Sequence, residues 1–280
     1  MVVSVQRACL IPGLNRSSYY YQPKGVERDL ALIRELHRLA QKHPRYGYRK
    51  VHRILRDQGE TVSRNKVQKL WQREGLQVQR KRRVKKAPGT MDNSCHLREV
   101  SYVNQGWSLD FVSDQTMDGR RLKILTVTDD LSREAIAVEV ARRMGQKEVC
   151  VLLEKLMKER GRPGVVRSEH GKEFVGKGIN QFLGRQSVES APIAPGSPWQ
   201  NGKNERLNGI LREEELNRRL YGNLLEARVY IEEWRQTYNR QRPHGALDFM
   251  TPHRFAQEEK AKGRWFRPME NNFLLSQNHV

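Results

Sequence analysis

Cysteine is scarce in this 280-residue chain, which has three: Cys9, Cys95 and Cys150. They lie far apart and form no CxxC pair, which argues against a disulfide scaffold and against a cysteine-rich zinc site. No apolar run reaches the roughly 18 residues that a membrane-spanning helix requires. The opening stretch, MVVSVQRACLIPG, lacks the basic and then long apolar order of a signal peptide. We therefore expect a protein of the reducing cytoplasm without a membrane anchor.

Acidic residues are few relative to basic ones. The chain has 52 lysines and arginines against 32 aspartates and glutamates, so its formal net charge is +20 and its pI is near 10.2. The first 100 residues hold 23 basic and 8 acidic residues, so the excess is concentrated there. This distribution predicts a polyanionic partner, most simply nucleic acid. A ribosomal or membrane-surface role is the alternative.

Residues 27–75 have the periodicity of three helices. In the first, ERDLALIRELHRLAQKH, apolar residues recur every three or four positions. The second, YGYRKVHRILRDQGE, breaks at Gly59, and the third, SRNKVQKLWQREG, has Ser63 as its N-cap and stops at Gly75. Two short helices joined by a tight, glycine-containing turn predict a helix-turn-helix.

The third of these helices carries basic residues mostly away from its apolar stripe, as a helix that enters a DNA groove would. These residues are Arg64, Lys66, Lys69 and Arg73. The charge run RKRRVKKAPG that follows predicts a linker along DNA phosphates. Its first four residues are Arg80, Lys81, Arg82 and Arg83. The alternatives are the solvated face of an ordinary helical bundle and a solvated spacer.

From about residue 99 the period becomes that of a sheet. GWSLDFVSD alternates apolar and polar residues, and the turn signal Asp118-Gly119 precedes the strands RLKILTVTDD and EAIAVEVA. Then follow the helix QKEVCVLLEKLMKER, the strand GVVRSE, the helix EFVGKGINQFLGRQ and the strand VESAPIA. A Pro/Gly loop, PGSPWQNG, precedes the helices NERLNGILREEELNR and LLEARVYIEEWRQTYNRQ. Hairpin-connected strands followed by strand–helix alternation predict an α/β fold, a mixed sheet with helices on its faces.

Three acidic residues stand at notable places in these elements. Asp110 lies inside the first strand and faces away from its apolar neighbours, although aspartate has low strand propensity. Glu169 ends the fourth strand, and Glu205 opens a helix after 35 intervening residues. Converging carboxylates suit Mg²⁺, and two such ions can assist the displacement of a phosphodiester. Any one of these acids is more often an ordinary solvated charge, so the prediction of a metal site depends on the three occurring together.

From Ser4 to about Phe255 the chain resembles the OrfB transposases of bacterial insertion sequences, relatives of retroviral integrases in the DDE superfamily, and seven stretches carry the resemblance. They are HPRYGYRKVHRIL, EGLQVQRKRR, WSLDFVSD, TVTDDLSREAIAVEVA, RSEHGKEFVG, PGSPWQNGKNERLNGILREEELN and YNRQRPHGALDFMTP. The resemblance implies a ribonuclease H-like mixed sheet flanked by helices, with an N-terminal all-helical helix-turn-helix domain. We predict a helical domain at 1–79, a basic linker at 80–98, the catalytic core at 99–220 and a C-terminal helix and tail at 221–280.

The resemblance places the catalytic, metal-binding acids of the family at Asp110, Glu169 and Glu205, with the family's spacing between the last two. The implied cofactor is Mg²⁺, with Mn²⁺ as an alternative. A basic residue two helical turns after the last acid is also implied, and Arg212 matches it. The neighbours Lys203 and Arg206 suit phosphate contacts.

One of these positions departs from the family. Where the family has aspartate, within SDNG, this chain has Glu169 within SEHG. Glutamate keeps the charge, but its extra methylene moves the carboxylate by roughly 1.5 Å, and Mg²⁺ demands near-ideal octahedral geometry. Asp129 and Asp130 match a frequent acidic pair outside the triad, which we interpret as strand-end structure.

The resemblance implies a transposase subunit that cleaves DNA 3′ ends and transfers strands during transposition, recombination and integration. The implied partners are double-stranded DNA (the terminal inverted repeats and the target), further copies of the same chain, and a separate OrfA protein or an OrfA–OrfB fusion. The implied location is the bacterial cytoplasm, at the nucleoid. Two alternatives stay open: a catalytically impaired DNA-binding relic or repressor of the same fold, and a ribonuclease H-like nuclease without transfer activity.

Overall fold

The computed structural model describes residues 4–10, 13–20, 26–78, 100–169, 171–193 and 202–268. The chain divides into two compact units, residues 1–79 and 80–280. The predicted linker at 80–98 lies outside the described residues. Within the described ranges, no helix combines the length and the apolar character needed to cross a bilayer.

The first unit is helical. Its elements are α1 (Val5–Leu10), α2 (Arg16–Tyr19), α3 (Val26–Lys42), α4 (Tyr48–Asp57) and α5 (Arg64–Arg73). The three helices predicted within residues 27–75 are confirmed as α3, α4 and α5. Their apolar stripes meet in one core, which includes Leu36, Leu39, Val51, Leu55, Val67, Leu70 and Trp71. Burial of these stripes is what holds the short helices in place, because helices of about 10 residues are marginal in isolation.

The turn between α4 and α5 has the predicted chemistry. Gly59 has φ +91°, a left-handed conformation that costs glycine little and other residues more. The hydroxyl of Ser63 accepts a hydrogen bond from the backbone N–H of Lys66 at 3.3 Å, so the predicted N-cap is confirmed. The two helices pack against each other across this turn.

The second unit is an α/β fold. Its strands are β1 (Gly106–Gln115), β2 (Arg121–Asp129), β3 (Ala135–Ala141), β4 (Val165–Ser168) and β5 (Glu189–Pro192). Its helices are α6 (Gln146–Arg160), α7 (Lys172–Val175), α8 (Lys177–Arg185), α9 (Gly202–Glu214), α10 (Leu224–Arg240) and α11 (Pro252–Ala261). Two 3-10 turns lie at Leu216–Arg218 and Gly245–Leu247.

The five strands form one sheet in the order β3-β2-β1-β4-β5. The hairpin-connected pairs β1/β2 and β2/β3 are antiparallel, whereas β1/β4 and β4/β5 are parallel. The parallel pairs follow from the crossovers through α6 and through α7 and α8, because a strand that returns over a helix re-enters the sheet in the same direction. The predicted mixed sheet is confirmed.

Each face of the sheet is covered by helices. Leu109 and Val127 belong to a core shared with α6 and α8, whereas Val112 and Ile124 belong to a second core shared with α9 and α10. Successive strand residues point to opposite faces, so this division is already present in the alternation of the sequence.

Helix α10 also covers the sheet edge formed by β3. Arg228 Nε donates to the carbonyl of Val140 at 2.8 Å, and Arg235 Nη1 donates to that of Ala135 at 3.0 Å. The side-chain amide of Asn239 both donates to and accepts from the backbone of Ala135, each at 2.9 Å. These bonds satisfy backbone groups that an uncovered edge would present for pairing with another chain.

The predicted element boundaries differ from the structure in three places. The helix predicted over 173–186 is two helices, α7 and α8, separated by the extended backbone of Gly176; the Gln146 side chain occupies the space where a larger residue at that position would place its Cβ. The helix predicted over 204–218 ends at Glu214 and continues as a 3-10 turn. Helix α11 was not predicted, although Thr251, which accepts from the Arg254 N–H at 3.3 Å, and Pro252 are start signals.

Candidate active site

Asp110 lies in β1 on the face that α9 covers. Its side chain is half-buried, and Oδ1 accepts a hydrogen bond from the backbone N–H of Phe111 at 2.7 Å. Oδ2 accepts a hydrogen bond from Asn208 Nδ2 at 2.6 Å. Leu109 and Phe111 point to the opposite face, into the core under α6 and α8. An aspartate in the middle of a strand is therefore accommodated because α9 supplies a polar partner there.

Glu169 follows the last residue of β4 and is exposed. Strand β4 runs parallel to β1 with Ser168 opposite Leu109, so the next residues along the two strands are Glu169 and Asp110. The segment after Glu169 is anchored by Phe174, whose ring stacks on that of Phe111 at a centroid distance of 4.9 Å. Backbone pairing and this aromatic contact bring Glu169 to the level of Asp110.

A second contact holds the same segment. Glu173, four residues after Glu169, forms an ion pair with Lys123 of β2. Lys123 also donates to the carbonyl of Met144 at 2.9 Å and lies over the ring of Phe111, 4.1 Å from its centroid. The segment that carries Glu169 is thus attached to Lys123 of β2, and Lys123 in turn contacts the Met144 carbonyl and the Phe111 ring.

Glu205 lies in the first turn of α9 and is exposed. Two asparagines fix that helix on the sheet. Buried Asn204 Oδ1 accepts hydrogen bonds from the hydroxyls of Thr128 at 2.7 Å and Thr126 at 3.2 Å. The Thr126 hydroxyl has one proton, which Asn204 Oδ1 shares with Asn208 Oδ1, 2.9 Å from the same hydroxyl. The role of these two asparagines was not predicted; their spacing of four within NERLNG, on the helix face of Leu207 and Leu211, was the available signal.

The charges of the three acids act on one another. Burial raises the pKa of Asp110 to about 6, and the negative charges of Glu169 and, less strongly, Glu205 act in the same direction. The hydrogen bonds from Phe111 and Asn208 oppose that rise in pKa. Among the described residues, however, no group of three or more His, Cys, Asp or Glu side chains is compact enough to hold a metal ion. The charges of Glu169 and Glu205 therefore affect the pKa of Asp110, but the three carboxylates do not form a compact metal-binding group.

The acidic pair after β2 has the structural role predicted for it. Buried Asp129 Oδ1 accepts from the backbone N–H and the hydroxyl of Ser132 at 2.7 and 2.8 Å, and Oδ2 accepts from the Asn104 N–H at 2.6 Å. Burial raises the pKa of Asp129. Asp130 forms a buried ion pair with Arg167 of β4 and accepts from the Ser108 hydroxyl at 2.6 Å. Three strands are thereby joined beneath the acids.

The basic residues predicted around the last acid occupy different environments. Lys203 is half-buried, and burial lowers its pKa, an effect that Asp130 opposes and that Arg133 and Arg167 reinforce. Arg206 is exposed. Arg212 is also exposed, and its Nη2 donates to the carbonyl of Ser113 at 3.1 Å, which attaches it to β1.

The basic residues predicted on α5 all lie on its exposed side, opposite Val67, Leu70 and Trp71. They are Arg64, Lys66, Lys69 and Arg73. Two of them have acidic neighbours: Lys66 Nζ lies 2.6 Å from Asp29 Oδ1, and Arg73 Nε donates to Glu74 at 3.1 Å. The predicted contacts Arg80, Lys81, Arg82 and Arg83 lie outside the described residues.

Comparison with known proteins identifies the family. The integrase core domain family matches residues 101–198 and 186–252, and the HTH-like domain family matches residues 26–84. A 31.7 kDa protein of insertion element IS407 from Burkholderia multivorans is 36% identical over 259 residues, 92% of each chain. This chain belongs to the transposase family of bacterial insertion elements.

Two further relatives support the family assignment. A 39.2 kDa protein of insertion element IS476 from Xanthomonas euvesicatoria is 35% identical over 254 residues, covering 91% of this transposase and 72% of the relative. The putative transposase InsK of IS150 from Escherichia coli is 23% identical over 258 residues, covering 88% and 90%. The two integrase-core matches together contain Asp110, Glu169 and Glu205, and the HTH-like match contains α3 to α5.

Proposed function

We propose that this transposase cleaves DNA at the 3′ ends of its insertion element and transfers those ends to target DNA, with Asp110, Glu169 and Glu205 as the catalytic, metal-binding acids. The observation that carries the proposal is electrostatic: the charges of Glu169 and Glu205, from distant parts of the chain, both act on the carboxyl group of Asp110. The register of β1 and β4 supports the nearness of Glu169 to Asp110. The Asn208 bond supports the nearness of α9, and hence of Glu205.

The donor set fits Mg²⁺, with Mn²⁺ as an alternative. All three proposed ligands are carboxylates; burial and then the charges of Glu169 and Glu205 raise the pKa of Asp110, and a bound cation would offset both by favouring the ionised carboxylate. When bound, the ions would supply Lewis acidity, which lowers the pKa of an attacking water and neutralises charge on a leaving oxygen. The chain itself holds the carboxylates: Asn208 orients Asp110, and the stacking of Phe174 on Phe111 fixes the segment after Glu169.

The proposed reaction has two displacements at phosphorus. Water attacks the phosphodiester at the element end, the P–O3′ bond breaks, and a 3′-OH is released. That 3′-OH then attacks a phosphodiester of the target, and one P–O bond replaces another. No serine or tyrosine was identified as an activated nucleophile, so the proposal contains no covalent protein–DNA intermediate.

The proposed partners follow from the two units and their charge. Double-stranded DNA, as terminal inverted repeats and as target, would contact the exposed cations of α5 and the basic residues Lys203, Arg206 and Arg212. Pairing two element ends would require more than one copy of the chain. We also propose an OrfA partner, or an OrfA–OrfB fusion as the working form, and action in the bacterial cytoplasm at the nucleoid.

A specific observation favours the alternative, a catalytically impaired DNA-binding protein of the same fold. Glu169 is exposed and one methylene longer than the aspartate expected at this position, and no compact acidic group is present in the described part of the chain. A misplacement of about 1 Å can cost on the order of 100-fold in rate. The nuclease alternative receives no comparable support, because the helical unit matches an HTH-like domain.

A single assay separates the three functions. Labelled duplexes that carry the element's terminal inverted repeat are incubated with the full chain and Mg²⁺ or Mn²⁺. We expect 3′-end cleavage and joined products with wild type, and neither with Asp110→Ala or Glu205→Ala. Cleavage without joining would support the nuclease, and binding without either product would support the impaired protein.

The variant Glu169→Asp tests the geometry of the second acid directly. If the longer side chain limits the rate, the shorter one raises it, and Glu169→Gln abolishes it. Equal rates for Glu169→Gln and wild type would overturn the role proposed for Glu169, whatever the DNA-binding result.

A further inference from the structure

The second unit, residues 80–280, has an open cleft of about 730 Å³ away from the three acids. It lies where α6 ends, beside the end of α11 and the extended segment that follows that helix. Its lining includes Met157, Arg160, Arg162, Arg235, Lys260, Trp265 and Arg267. Arg162 precedes β4, whereas Glu169 follows it, so the cleft and the acids lie toward opposite ends of that strand.

The lining of the cleft is strongly cationic. Five basic side chains face a single carboxylate, that of Glu159. Two of the five are paired with acids elsewhere: Arg160 Nη2 donates to Glu134 at 2.6 Å, and Arg235 Nη2 donates to Glu232 at 2.7 Å while its Nη1 donates to the Ala135 carbonyl at 3.0 Å. Even so, Arg160 Nε is a buried donor without a hydrogen-bond acceptor among the described residues. Because that atom is buried, a duplex would not reach it, and Arg160 is not counted among the phosphate contacts.

The other three cations are not neutralised within the described ranges. Arg162 Nη1 donates to the Gln186 carbonyl at 3.3 Å, but no carboxylate forms an ion pair with Arg162, Lys260 or Arg267 there. The indole of Trp265 holds two charges at the cleft, with Lys260 Nζ 5.1 Å and Arg160 Cζ 4.8 Å from its ring centroid. Concentrated, unpaired positive charge raises the local concentration of a polyanion.

We propose that this cleft binds the phosphate backbone of duplex DNA, as a second DNA contact of the unit separate from the proposed catalytic acids. The inference rests on DNA being the substrate of the transposase. Arg162, Lys260 and Arg267 make the phosphate contacts, and Trp265 fixes the orientation of Lys260. These contacts are independent of base sequence, so they add affinity and salt dependence rather than recognition of a particular site.

The test is DNA binding by the full chain in metal-free buffer, where cleavage does not interfere. In the variant Arg162→Gln/Lys260→Gln/Arg267→Gln, we expect roughly tenfold weaker binding. The slope of log Kd against log salt should fall by about 0.9 for each phosphate that the variant no longer neutralises, and so by roughly 2 to 3 in total. The matched control is Arg120→Gln/Lys158→Gln/Arg254→Gln, which removes the same charge from exposed residues already paired with Asp118, Glu154 and Glu258. Equal effects in the two triple variants would overturn the proposal.

A second measurement does not depend on the variants folding. Lysine acetylation of the wild-type chain, read by mass spectrometry with and without duplex DNA, should show protection of Lys260 and none of Lys158. Equal labelling of Lys260 in both samples would overturn the proposal. If wild type binds DNA but the cleft variant is unchanged, only this inference fails. If wild type binds DNA and yields no products with Mg²⁺ or Mn²⁺, only the catalytic proposal fails.

Discussion

Asn208 Nδ2 donates a hydrogen bond to Asp110 Oδ2 across 2.6 Å, and this bond ties α9 to the middle of β1. Glu205 lies three residues before Asn208 on the same helix, so one contact sets the spacing of two of the proposed catalytic acids. The same amide accepts from Thr126 of β2 at 2.9 Å, which fixes its orientation. Residues that orient a ligand in this way commonly affect activity nearly as much as the ligand does.

Replacing Asn208 should therefore impair catalysis more than DNA binding. We expect Asn208→Ala to lower the single-turnover cleavage rate roughly 10- to 100-fold and to raise the Mg²⁺ concentration at half-maximal rate, because Asp110 loses its fixed orientation. Asn208→Asp should be worse, because it sets a like charge against Asp110. The control is Asn217→Ala, at an exposed position. A cleavage rate and Mg²⁺ dependence equal to those of that control would contradict the positioning role.

The stability of the metal-free transposase should depend on the protonation of Asp110. Its pKa in the fold is raised from 3.8 to about 6, so the fold binds this proton more tightly than the unfolded chain does. Protonated Asp110 therefore contributes its full stabilisation of the fold below about pH 4, and this contribution is lost as the pH rises through about 6. Because Asp110 is half-exposed and solvent screens its charge, we expect the free energy of unfolding to fall by only roughly 1 to 2 kcal/mol.

Urea unfolding at pH 4 to 8 measures this effect. The difference between wild type and Asp110→Asn should show the loss, whereas Asp114→Asn in the same strand should leave the wild-type profile unchanged. Saturating Mg²⁺ should remove the loss, because a bound cation favours the ionised carboxylate. A pH profile of Asp110→Asn that superimposes on wild type would refute the assignment.

The buried pair of Asp130 and Arg167 should matter for stability. Removing one member leaves the other charge buried, so Asp130→Asn or Arg167→Met should each lower the free energy of unfolding by about 3 to 5 kcal/mol. The double variant should cost less than the sum of the single variants, because no lone charge remains. Strict additivity in denaturant unfolding would show that the two side chains act independently.

DNA binding by α5 should depend unequally on its lysines. Lys66 Nζ already lies 2.6 Å from Asp29, whereas no carboxylate in the described ranges forms an ion pair with Lys69. We expect Lys69→Ala to weaken DNA binding and to lower the salt slope by about 0.9, and Lys66→Ala to have a smaller effect. Asp29→Asn should strengthen binding, because it frees Lys66. Weaker binding by Asp29→Asn, with the fold intact by circular dichroism, would contradict this account.

The elements of this fold were largely predictable because each has a local signal. The alternation around Trp107 and Leu109 predicted β1, and the apolar stripe ending at Trp71 predicted α5. One predicted helix was wrong: 173–186 breaks at Gly176, where the backbone is extended and the side chain of the distant Gln146 packs in the space that any larger residue would need. Helix α11 was not predicted, although Thr251 is an N-cap residue and Pro252 is favoured at the first helical position.

The sequence by itself determined the mixed sheet and the helix-turn-helix, because periodicity and turn residues are local properties of a chain; the assignment of Asp110, Glu169 and Glu205 as catalytic acids came from motif resemblance and stays a prediction. Only the tertiary structure decided that Asn208 holds Asp110, that Asp130 binds Arg167, and that Arg162 lines the same cleft as Lys260. Those relationships join residues tens of positions apart, and strand register, helix packing and burial set them only once the chain has folded.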